Sequence, residues 1–194
     1  VSPTMRGICY PIRVMVPSDF VQSRFLTSVK IQVISYEELY AGKIAAALAR
    51  QHPRDLFDIK MLFENGGVTS KMMDALIVDI SSNAKSMSDL LDPIHQDFKK
   101  AFISKFTGMP IVNVTVEDLE EARLLLIQTV QDNLTDKHKQ FLISLKKGSP
   151  DYGLINIKCV DKLPAVQWKL MNIKKMPSKT HKKALNKLRS VLEL

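Results

Sequence analysis

Apolar and polar positions alternate with two different periods along the chain. Residues 12 to 16 and 30 to 35 alternate weakly and are rich in β-branched residues, which predicts two short strands. The second leads directly into a helical pattern, with Tyr40, Ile44, Ala47 and Leu48 forming one apolar stripe at i, i+4, i+7 and i+8. Ser35 is the expected N-cap, and Glu38 three places on completes a capping-box signature. His52-Pro53 ends this helix, because a proline biases the residue before it out of the helical region and fits the first turn of a new helix. Leu56, Ile59, Leu62 and Phe63 then give that second helix its buried side. After Gly66-Gly67 every pattern is helical. Helices are predicted over 69–82, 95–106, 117–133, 135–148, 164–175 and 178–192, joined by loops at 108–115 and 148–164. Phe98, Phe102 and Phe106 line one face of the 95–106 segment, and Trp168 is expected in the core with Leu163, Val166 and Leu170. The fold class is α+β, predominantly α, with a strand-bearing part at 1–67 and a helical domain at 68–194.

Charges set against this apolar pattern change the picture. Charge held beside a core is costly unless paired or used. Tyr36, Lys43 and Arg50 recur every seven residues on one face of the first helix, Lys43 roughly 60° from the apolar stripe. Gly42 with Ala41, Ala45 and Ala46 makes a smooth surface that backbone or ligand could approach. Arg54, Asp55 and Asp58 open the next helix, Asp55 between the core positions Ile59 and Leu62 and Asp58 on its flank. Lys43 and Asp55 are therefore expected to converge where the helices meet. On spacing alone this cluster reads either as a structural ion-pair network or as a functional site, with Asp55 open to a first-turn role and Lys43 to reaching solvent.

The segment ELYAGKIAAALARQHPRDLFDIKMLFENGG, with Leu39, Lys43, Ala47 and Arg50 followed by Arg54, Asp55, Leu56 and Asp58, resembles two motifs of the AbiEii/AbiGii nucleotidyltransferase toxin family. Residues 134–155 and 163–176 also resemble the C-terminal region of one branch of that family, so the likeness covers most of the chain. The family belongs to the DNA polymerase β-like nucleotidyltransferase superfamily. The resemblance implies a toxin of a toxin–antitoxin or phage-defence system that uses an NTP and Mg²⁺, with tRNA as acceptor and a cognate antitoxin as partner. It implies Lys43 and Asp55 as catalytic residues and Arg50, Arg54 and Asp58 as substrate-binding residues, and Tyr36 joins the latter by sharing a helix face with Lys43 and Arg50.

One departure stands beside the match. The superfamily holds phosphates with a Gly-Ser or Gly-Gly turn and Mg²⁺ with an Asp-x-Asp pair. No Gly-Ser turn precedes Lys43, no Asp-x-Asp occurs in the sequence, and Asp19 is isolated between Ser18 and Phe20. Nucleotidyl transfer depends on metal ions that neutralise phosphate oxygens. The chain, starting Val1-Ser2-Pro3, reads as the C-terminal two-thirds of a family member. No metal ligands are assigned to it, and no transfer activity is expected of it alone. The alternative function is a non-catalytic helical module that binds nucleic acid or an antitoxin.

Composition adds three constraints. The net charge of +8 is distributed as +2 over residues 1–67, −4 over 68–134 and +10 over 135–194. Lys174, Lys175, Lys182 and Lys183 lie in the last stretch, which suits a phosphate backbone as well as it suits a solvated helix face. Cys9 and Cys159 lie far apart and read as free thiols of a reducing cytoplasm, and the four scattered histidines have no zinc-ligand spacing. No apolar run approaches the roughly 18 residues of a membrane span, and no signal peptide is expected. Open strand edges favour pairing with a partner or with a second copy.

Overall fold

The computed structural model describes residues 7–26 and 29–194. It is α+β and predominantly α, with ten α-helices and one two-stranded sheet among the described residues. No helix there is long and apolar enough to cross a membrane. Strand β1 (Arg13–Met15) runs antiparallel to β2 (Ile31–Val33), with Val14 opposite Gln32. A helix not expected from the pattern, α1 (Asp19–Phe25), lies between them and buries none of its residues. Asp19 opens this helix as its first-turn acid.

Helix α2 (Tyr36–Arg50) begins at Ser35, whose Oγ accepts the Glu38 amide at 3.1 Å. The Glu38 carboxylate does not close the capping box. It accepts the backbone N–H groups of Cys9 at 2.8 Å and Tyr10 at 3.3 Å, and so ties the segment before β1 onto the helix. The break follows the expected chemistry. Gln51 ends α2 in the left-handed region (φ 49°), and His52 is extended. Pro53 then starts α3 (Pro53–Glu64), where its missing N–H costs nothing.

Helix α4 (Ser70–Ser82), capped by Thr69, forms the centre of the core, with Leu76, Ile77 and Ile80 fully buried. Helix α2 packs most extensively on α4. Ala41 and Ala45 are buried, and a Cβ on Gly42 would stand 3.7 Å from Asp79 Oδ2. The small-residue face of α2 is thus used for helix packing.

The remaining helices are α5 (Met87–Leu91), α6 (Lys99–Lys105), α7 (Val116–Asp132), α8 (Asp136–Lys146), α9 (Pro164–Lys174) and α10 (Ser178–Leu192). Thr115 and Asp118 complete a reciprocal capping box at α7. Buried apolar side chains form one cluster running from Ala41 to Leu192.

Two further expectations fail. The 95–106 helix is only Lys99–Lys105. The buried Gln51 explains this. Its amide donates to Ile94 O at 2.7 Å, its carbonyl accepts the Gln96 N–H at 3.0 Å, and Arg123 donates to Gln96 O at 2.7 Å. Side chains of other elements thus hold the backbone around residues 94–96, including the Gln96 carbonyl that a helix would have paired internally. Trp168 is the second failure. It is 47% exposed, whereas Leu163 and Val166 of the expected cluster are buried.

Candidate functional site

Two ion pairs bridge α2 and α3. Lys43 Nζ lies 2.5 Å from Asp58 Oδ2. Arg50 donates to Asp55 through Nε at 3.0 Å and Nη2 at 2.7 Å, a two-pronged contact. Lys43 and Asp55 both stand on this α2–α3 seam, but they are not each other's partners. Helix geometry gives the reason. Residue 43 lies seven residues, about 10 Å, further from the break than residue 50. In a chain that folds back at 51–52, the near cation meets the near acid and the far cation meets the far acid. The pairs form two rungs of a ladder. Side-chain exposure is 32% for Lys43, 40% for Asp58, 64% for Arg50 and 15% for Asp55. The cations can reach solvent, while Asp55 is the covered member that holds the Arg50 fork.

The other expected residues surround this ladder. Tyr36 stacks on Tyr40 with ring centroids 4.6 Å apart. Burial raises the Tyr40 phenol above its ordinary value, aided by its hydrogen bond to Tyr36 and by the charges of Tyr36 and Asp58. Tyr40 thus belongs to the site, although its place in the apolar stripe marked it only as core. The i, i+4 repeat of tyrosine beside a lysine was the signal for it. Arg54 points away from the ladder, donating to Lys105 O at the end of α6 at 3.2 Å from Nη2. Arg54 and Asp58 nonetheless line one cleft of about 210 Å³ with Phe57, Phe106, Met109 and Pro110. Asp58 therefore faces both Lys43 and this cleft.

The basic residues of the C-terminal region are placed elsewhere. Lys174 and Lys175 end α9, Lys182 and Lys183 lie on α10, and all four are exposed. Lys187, on the same helix, pairs with Asp89 at 2.5 Å.

No Mg²⁺ donor pair is assigned in the sequence, and the acids of the ladder are the nearest carboxylates to compare with one. Among the described residues no three His, Cys, Asp or Glu side chains converge as metal ligands would. Asp55 and Asp58, the acids nearest the ladder, each hold a cation. Asp55 and Asp58 are not an Asp-x-Asp pair, so they do not reproduce the donor pair of the superfamily.

The chain is thus a helix-dominated α+β protein whose sequence-predicted site is a ladder of paired charges across a helix break. It matches the family model described as "Nucleotidyl transferase AbiEii toxin, Type IV TA system" over residues 1–172, and it belongs to that family. Comparison with curated proteins and with solved structures gives no match.

Proposed function

We propose that the α2–α3 ladder is the nucleotide-facing surface of this nucleotidyltransferase-type toxin. The observation that carries this reading is the Lys43–Asp58 contact of 2.5 Å at the edge of an open cleft. A lysine held by one exposed carboxylate can exchange that partner for a triphosphate oxygen, which it binds as a point charge. Asp55 fixes the Arg50 fork, whose planar geometry suits a phosphate. Tyr36 and Tyr40 wall the site on the N-terminal side, and Arg54 reaches the same cleft from the far side.

In this reading the bound nucleotide is an NTP and tRNA is the acceptor. No Asp-x-Asp pair occurs in the sequence, and in this reading the 194-residue chain binds nucleotide without transferring it. Equilibrium dialysis with labelled NTP tests the reading. Saturable binding that Lys43→Ala removes supports it; no binding, or binding indifferent to Lys43→Ala, overturns it.

One observation favours a second reading, a helical module that docks a cognate antitoxin. Val14, Phe20, Phe25 and Ile31 of the β1–α1–β2 region are all exposed. A two-stranded sheet with bare faces is marginal alone and gains from being covered. Under this reading Lys43→Ala leaves antitoxin binding unchanged.

A further inference from the structure

A second cavity, of about 270 Å³, opens between the end of α8, helix α9, helix α10 and the loop after α4. Its charged side chains are Lys146 and Lys169; no carboxylate lines it. Lys146 Nζ makes no hydrogen bond or ion pair among the described residues. Lys169 is buried and donates to the Asn83 and Lys85 carbonyls at 2.5 and 3.0 Å. An ammonium has three donors, so one N–H of Lys169 is left over. The exposed ring of Trp168 stands at the same cavity, beside Asn172 and Thr180.

We propose that this cavity binds a nucleotide phosphate, with Lys146 and Lys169 on its oxygens and the base stacked on Trp168. Two like charges gathered beside apolar groups, one without a partner, repel each other until an anion joins them. Both ammonium groups are disfavoured by burial, and Lys169 by its neighbour as well. Burial lowers the Lys146 ammonium, and it lowers Lys169 from 10.5 to about 8, with Lys146 adding to the effect. A structural role accounts for Lys169, which satisfies carbonyls at the end of α4. It does not account for Lys146. An exposed indole offers any base a face, and such stacking tolerates all sequences.

The phosphate has two sources, a free nucleotide or a nucleic-acid strand. A strand running past the cavity would also meet the exposed Lys174, Lys175, Lys182 and Lys183.

Trp168 is the only tryptophan, so its fluorescence reports on this site alone. Adenosine 5′-monophosphate, adenosine and a single-stranded RNA are titrated at low salt. The expected result is saturable quenching by the monophosphate, the RNA or both, with adenosine weaker by about ten-fold, the size of one charge-assisted hydrogen bond. Quenching by RNA alone assigns the phosphate to a strand; quenching by both extends it to the free nucleotide. Lys146→Gln should weaken binding by about ten-fold without lowering the melting temperature, since it removes a charge that has no partner. Lys137→Gln, an exposed change on α8, should do nothing. Lys43→Ala should also leave the Trp168 signal intact, which separates this site from the α2–α3 ladder. The proposal is overturned if neither phosphate ligand quenches saturably, if adenosine equals the monophosphate, or if Lys146→Gln binds as well as the unmodified chain.

Discussion

Lys43 on α2 meets Asp58 on α3 at 2.5 Å, while Asp55, one turn nearer the helix break, is taken by Arg50. The order of these pairs makes Lys43 the removable member of the site. Its contact is partly solvated, and such pairs contribute about 0.2–1 kcal/mol. A double-mutant cycle with Lys43→Ala and Asp58→Ala, read by urea unfolding, should give a coupling in that range. A coupling of about 3 kcal/mol would make the pair a buried structural bridge instead.

Gln51 should matter more to stability than either rung. It is 3% exposed and joins Ile94, Gln96 and Arg123. Gln51→Ala should cost about 1–3 kcal/mol, because it strands buried partners. Hydrogen exchange should show the Gln96 amide losing protection in that variant. Unchanged protection there would mean that the 93–98 segment holds its shape by other contacts.

Transfer chemistry is expected to be absent from the 194-residue chain. Incubation with labelled NTP, Mg²⁺ and tRNA should yield no labelled tRNA. Label transfer that disappears in Lys43→Ala would show that this chain finds metal ligands outside the described arrangement.

The exposed C-terminal lysines give a salt prediction. If three to five of them engage phosphates, the log–log slope of binding against salt should be roughly −2 to −4.5, from about −0.7 to −0.9 per phosphate. Changing Lys174, Lys175, Lys182 and Lys183 to Gln should flatten it while stability stays within about 0.5 kcal/mol. A flat slope in the unmodified chain would make the tail an ordinary solvated face.

Lys169 gives a pH prediction. Its folded ammonium titrates at about 8, below the ordinary 10.5, because burial disfavours the charge. Between those two values the unfolded chain holds more protons than the folded one, so stability rises with pH across that window. The unfolding free energy of the unmodified chain relative to Lys169→Met should therefore increase from about pH 7.5 to about pH 10. A constant difference would mean that the Asn83 and Lys85 carbonyls already offset the desolvation.

Local chemistry made much of this molecule legible before folding. Ser35, Thr69 and Thr135 each mark a helix start because a side-chain oxygen beside an apolar repeat has few other uses. His52-Pro53 breaks α2 from α3 for a reason contained in two residues. The motif around Lys43 and Asp55 carried the family, which the match over residues 1–172 bears out.

Tertiary structure decided the rest, wherever a residue had more than one partner in reach. Glu38 had the right spacing for a capping box but found two backbone N–H groups from the segment before β1. Residues 95–98 had a helical pattern, yet Gln51 and Arg123 took the backbone groups of Gln96. Lys43 and Asp55 lay on facing flanks, but periodicity gives an angle around a helix and not a height along its neighbour. That height came from the turn at 51–52, and it placed Asp58 opposite Lys43. Trp168, expected in the core, stands outside while the neighbouring Lys169 is buried, because the Asn83 and Lys85 carbonyls after α4 hold its ammonium, which nothing nearby in the sequence reveals.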